Sequence, residues 1–194
     1  MNLILITGIP ASGKTTISKR LSKDLNIFCL SKDDLKIELY EKFGFCSYEE
    51  KKQLDMLADE HIYDIILKYI STSQDLIVDK WYIDTDKIFD KLKNNYPNII
   101  CVQLCVSAKV ATKRYNERLI NNLKPLSLNV LNKYPIVQDI TMYENIKTIE
   151  EMEVRIKNTP KIKNCNAYLN LVNDKEKLDD IYHLALSFIS ENMR

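Results

Sequence analysis

Gly8-Ile9-Pro10-Ala11-Ser12-Gly13-Lys14-Thr15 fits G-x-x-x-x-G-K-[ST] at every fixed position. The chain holds three glycines, where average usage of about 7% would supply roughly 14, and two of the three stand at fixed positions of this motif. A chance match in so glycine-poor a sequence has a probability on the order of one in a thousand. Leu3-Ile4-Leu5-Ile6, just before it, is the continuous apolar run of a strand buried on both faces. After it, Ile17, Leu21 and Leu25 recur at helical spacing. Strand, loop and helix thus come in the order of a phosphate-binding loop, whose inward N–H groups and helix N-terminus attract anions. The nucleotide-binding stretch is Gly8, Ile9, Pro10, Ala11, Ser12, Gly13, Lys14, Thr15 and Thr16, with Lys14 reaching the β- and γ-phosphates and the Thr15 hydroxyl on Mg2+.

The 194 residues suit one domain, 1–194, with a single sizeable core. Hydrophobic residues make up 45% and charged residues 28%, and no apolar run approaches the roughly 20 residues that cross a bilayer. The apolar start Met1–Ile6 is short and runs straight into the glycine motif, which is not how a secretory leader is built. A net charge of +1 gives no global drive toward long nucleic acid or an anionic membrane, though a local basic cleft stays open. Five cysteines without C-x-x-C spacing and only two histidines read as reduced thiols of a cytoplasmic protein and not as a zinc site.

The rest of the chain alternates strands and helices, which points to an α/β fold with a mainly parallel sheet of about five strands flanked by helices. Strands are expected at Ile27–Leu30, Leu76–Val78, Ile99–Val106 and Tyr168–Val172. Helices are expected at Asp34–Phe43, stopped by Gly44, and at Ser107 to about Leu119. Ser47-Tyr48-Glu49-Glu50 is a capping box opening a long helix with Leu54, Leu57, Ala58, His61, Ile62, Ile65 and Tyr69 on one face, so His61 reads as packed. Leu178, Ile181, Leu184, Ala185, Phe188 and Ile189 mark the last helix, and Asp174-Lys175-Glu176-Lys177 its solvated start. Residues 121–160, polar and with three prolines, are too long for a plain connection and read as a helical lid or substrate insert.

In open parallel sheets ligands sit beyond the carboxyl ends of the strands. Asp33 and Asp34 follow strand two there: one acid can cap the next helix while the other takes a proton from an attacking hydroxyl. Asp79 ends strand three, in the apolar-run-plus-acid arrangement that places Mg2+ beside the loop. Arginine is scarce, five of 28 basic residues, yet Arg114 and Arg118 stand one helical turn apart after strand four. Planar guanidinium groups suit a clamp on a transferred phosphoryl group. Trp81 can stack an acceptor or cover the sheet edge.

With these residues in view, the chain resembles the small P-loop kinases related to the 5′-kinase domain of polynucleotide kinase, often grouped with AAA-type ATPases. Gly8 to Thr16 matches their ATP loop, and Ser31-Lys32-Asp33-Asp34-Leu35-Lys36 is similar to their acidic stretch after strand two. The resemblance implies Asp33 as the general base and Lys36 as a contact to an acceptor phosphate. Arg114 and Arg118 reproduce paired lid arginines, and Lys124 to Leu131 looks like the segment that follows them. Where that family often has Asp-x-Thr-Asn, this chain has Asp79-Lys80-Trp81-Tyr82, and Lys36 replaces a common Arg. The expectation is a Mg·ATP-dependent kinase moving the γ-phosphate to a hydroxyl of a nucleic-acid 5′ end or of a small molecule. A small-metabolite or antibiotic phosphotransferase, with Trp81, Tyr82, Tyr134 and Tyr143 closing a pocket, is the alternative, and a nucleotide-driven switch ATPase the third reading.

Overall fold

The computed structural model describes residues 1–92, 96–136, 141–175 and 177–194. Strands β1 (Asn2–Thr7), β2 (Cys29–Ser31), β3 (Leu76–Asp79), β4 (Asn98–Cys105) and β5 (Ala167–Val172) form one sheet in the order β2-β3-β1-β4-β5. Every pairing is parallel, so each strand must be reached by a crossover. The crossovers carry α1 (Lys14–Leu25), α2 (Lys32–Phe43), α3 (Tyr48–Ser71), α4 (Asp86–Phe89), α5 (Ala108–Ile120), α6 (Leu126–Asn129) and α7 (Ile149–Lys157), and α8 (Leu178–Asn192) follows β5.

Alternation along β1 divides the core into two layers. Leu3 and Leu5 meet Ile62, Ile66 and Ile70 of α3, whereas Ile4 and Ile6 meet Ile17 and Leu21 of α1 with Tyr182, Ala185 and Ile189 of α8. Burial of each leucine or isoleucine side chain among them contributes about 1.5–3 kcal/mol. The sheet is therefore covered on both faces, and α1 and α3 lie on opposite sides of it.

Four local expectations need correction. Strand two begins at Cys29, with Ile27 in the turn before it. On α3 the buried stripe is Lys51, Ala58, Ile62, Ile66 and Ile70, shifted from the expected face, and His61 is half-buried. Ser47 accepts from Glu50 N at 3.1 Å, but the Glu50 carboxylate takes the N–H of Cys46, one residue before the cap. The insert 121–160 is less helical than expected in its described parts: α6 is a single turn, α7 has nine residues, and the rest is irregular, held by bridges Phe45 to Tyr134 and Val130 to Tyr143. Its residues 137–140, and Glu176 of the stretch before α8, lie outside the described residues.

A buried lysine ties the insert to the helices. Lys51, 5% exposed, donates to the carbonyls of Leu128 and Val130, with the rings of Tyr40 and Phe45 beside its ammonium. Tyr134 packs with Phe45 in this same cluster and Tyr143 pairs with Val130, so neither insert tyrosine walls the cavity, as the small-metabolite alternative would have them do.

Candidate active site

A cavity of about 490 Å³ opens at the carboxyl ends of β1, β2 and β3, between the glycine loop and the insert. Its first wall is Pro10 to Thr16 without Ser12, whose side chain is buried behind the loop. Gly8 sits at φ +135°, where an added Cβ would lie 2.2 Å from the Leu104 carbonyl oxygen. Gly13, at φ +99°, would meet the Asn173 amide at 2.7 Å. Both positions need glycine on two counts, backbone conformation and space. Gly13 also precedes α1 without offering a side-chain cap, so the first N–H groups of α1 stay available to an anion.

Lys14 folds back over the loop, its Nζ donating to the Ile9 carbonyl at 2.9 Å. Burial pushes its ammonium down to about 8, against the pull of the Asp79 and Asp33 carboxylates. Asp79 ends β3 and is 5% exposed. Burial raises its pKa, opposed by the Lys14 charge and a hydrogen bond from Thr15. Asp79 and Thr15 thus touch each other on the cavity wall, one carboxylate and one hydroxyl. That set fits Mg2+, which keeps several waters and takes phosphate oxygens, and among the described residues no three-residue ligand cluster suits another metal.

At the start of α2 the cap is Ser31, whose hydroxyl accepts from Asp34 N at 3.4 Å. Neither Asp33 nor Asp34 caps, contrary to expectation, because the serine one residue before the helix is available. Asp33 lines the cavity, and Lys124 Nζ lies 2.6 Å from its carboxylate. Burial opposes ionisation of Asp33, but Lys124, Lys36 and Lys14 outweigh it and hold its pKa below the usual value.

The two arginines diverge. Arg118 reaches the cavity, its Nε donating to the Arg114 carbonyl, while Arg114 donates to the Asn173 carbonyl at 2.8 Å and is not on the cavity wall. A shared helix face did not give a shared target, because the residue one turn earlier on α5 lies over the corner between β5 and α8. Asn173, which sequence reasoning missed, also donates to the Ser12 carbonyl at 2.8 Å and so braces the loop from behind. An asparagine just past a strand carries no sequence pattern that singles it out.

Beyond Asp33 the cavity runs toward α3. Lys36 lies on the wall but is paired with Asp55 at 2.9 Å, and Asp55 also accepts from the Tyr40 hydroxyl. Lys32 and Lys80 share Asp59, at 2.6 and 2.7 Å. Trp81 is on the cavity wall, with its Nε1 donating to Thr159 at 2.9 Å and Arg155 over its ring at 5.9 Å. The five cysteines are free.

A family model described as an AAA domain matches residues 3–134. The chain belongs to this AAA domain family. The match takes in the loop, Asp33, Asp79, Arg118 and Lys124 and stops within the insert. A protein of Saccharolobus solfataricus named for adenylate kinase is 35% identical over 82 residues, 41% of each chain. A cytidylate kinase of Sulfurisphaera tokodaii is 34% identical over 79 residues, 40% of this chain and 44% of that one. The chain therefore spans less than half the length of these curated relatives. A crystal structure from Chloroflexus aurantiacus, described as a kinase, superposes with a TM-score of 0.78 at 19% identity over 100% of this chain and 98% of that one. The likeness shows that the AAA domain chain has a kinase-like P-loop NTPase fold. No helix among the described residues is long and apolar enough to cross a membrane.

Proposed function

We propose that this AAA domain protein is an ATP-dependent kinase whose acceptor is an alcohol. The observation that carries the reading is Asp33: an ionised carboxylate on the same cavity wall as the loop and Lys14, held there by Lys124. The loop N–H groups and Lys14 would hold the ATP phosphates. Thr15 and Asp79 would hold Mg2+, which screens phosphate charge when bound. Asp33 accepts the proton of the acceptor hydroxyl as its oxygen bonds to the γ-phosphorus. The bond from that phosphorus to the β–γ bridging oxygen breaks, and ADP leaves with the electron pair. Arg118 stabilises charge on the transferred group.

The names of the two relatives favour a second reading, transfer to the phosphate of a nucleotide. A phosphate acceptor is already ionised, needs no base and is repelled by a carboxylate, so Asp33 speaks for the alcohol. Small metabolites, antibiotics and nucleic-acid 5′ ends all present such a hydroxyl. The test is ADP formation with each class: nucleoside monophosphates, small alcohols, and 5′-hydroxyl oligonucleotides. Phosphate-ester products on hydroxyls support the reading, and stimulation by nucleoside monophosphates alone with nucleoside diphosphates as products overturns it.

A further inference from the structure

Three side chains from separate elements meet where the cavity leaves the glycine loop for α3. Lys32 stands at the start of α2, Lys80 follows β3, and Asp59 on α3 sits between them, with contacts of 2.6 and 2.7 Å to its two oxygens. Both ammonium groups are largely covered, the Lys32 side chain 25% and the Lys80 side chain 11% exposed. One carboxylate between two ammonium groups leaves a positive charge in a half-buried place. Arg155 adds another: it lines the same cavity and rests on the Trp81 ring. Lys36 adds none, since Asp55 neutralises it.

A neutral donor lines the same cavity from the insert side. Asn129 is 7% exposed and lines the cavity, and among the described residues its amide nitrogen has no hydrogen-bond partner. A buried donor left unpaired is costly, and a ligand oxygen would offset that cost. The chain as a whole is close to neutral, at +1, so a local excess of cations here is a feature of the site and not of the composition.

Resting on the kinase reading above, we propose that the acceptor alcohol carries a second, anionic group, a phosphate or a carboxylate, seated on Lys32 and Lys80, with Asn129 donating to one of its oxygens. The seat differs from the Lys36 contact that the family resemblance implies. It selects against neutral alcohols and strongly against cationic ones such as aminoglycosides, whose ammonium groups would face Lys32, Lys80 and Arg155. The seat is built from α2, α3 and the residue after β3 and uses no side chain of the glycine loop, so nucleotide and anion are expected to bind together.

The test is calorimetric titration of inorganic phosphate, and separately of malonate, into full-length protein saturated with Mg·AMP-PNP. At least one anion should bind the loaded protein. Lys32→Gln with Lys80→Gln should weaken that binding at least tenfold, whereas Lys32→Arg with Lys80→Arg should retain it. Binding of phosphate alone assigns a phosphomonoester acceptor, and of malonate alone a carboxylated one. An absence of binding by either anion to the loaded protein, or equal binding by the double Gln variant with its unfolding midpoint unchanged, overturns the seat while leaving the kinase reading intact. Failure of AMP-PNP itself to bind overturns both.

Discussion

Lys124 Nζ stands 2.6 Å from the Asp33 carboxylate, joining the segment after α5 to the first turn of α2 across 91 positions of sequence. The pair ties the proposed base to the insert: Lys124 holds the Asp33 carboxyl below its usual pKa, which makes it a weaker base than a carboxylate without that cation. Lys124→Ala should therefore move the acid limb of the kcat/KM profile to higher pH, because a cation that lowers the Asp33 pKa has been removed. An acid limb unmoved in Lys124→Ala would show that Asp33 does not govern it.

The glycine loop, the alternation of strands and helices, and the acids at the ends of β2 and β3 were legible in the sequence because backbone constraints and strand order fix them locally. Gly8 and Gly13 are read from rarity and spacing alone, and the positive φ at both explains why. What could not be read is set by packing between distant elements. The separation of Arg114 from Arg118 depends on where β5 hands over to α8, and the capture of Lys36 by Asp55 on the spacing of α2 and α3. The Lys32–Asp59–Lys80 cluster draws on three elements, and no periodicity in the chain announces it.

Lys14 should report nucleotide binding through its proton. In the free protein burial pushes its ammonium down to about 8, so above that pH a large share of the molecules has a neutral Lys14. A bound triphosphate favours the charged form, so binding in that range should take up a proton, and affinity should fall as pH rises past about 8. Titration of AMP-PNP in buffers of different ionisation enthalpy measures the uptake. It should vanish at pH 6.5, where Lys14 is already charged, and in Lys14→Met, which should also bind far more weakly.

The divergence of the two arginines predicts two different kinetic defects. Arg118→Ala should lower kcat at least about a hundredfold, as loss of charge stabilisation on the transferred group does. Arg114→Ala should instead raise the KM for ATP by about tenfold with kcat largely retained, since Arg114 holds Asn173 and Asn173 braces the loop at Ser12. Steady-state kinetics on both variants separates the roles, and equal losses of kcat would mean that Arg114 also reaches the phosphoryl group.

Gly8→Ala should destabilise the protein by at least about 2 kcal/mol, through a backbone conformation that alanine rarely adopts and a collision with the Leu104 carbonyl. The thermal midpoint should fall by about 4–8 °C. A midpoint within a degree of the parent would contradict the close approach of loop and β4.

The most direct measurement is phosphoryl transfer from Mg·ATP to a mixed panel of alcohols, with and without a second anionic group, read as product mass for the parent and for Asp33→Asn. The parent should form a phosphate ester. Asp33→Asn should still bind AMP-PNP with nearly parental affinity yet lose most of the transfer, at least about a hundredfold. An equal rate of ester formation by Asp33→Asn, or ADP release by both proteins with no phosphorylated alcohol, would contradict an alcohol kinase with Asp33 as its base.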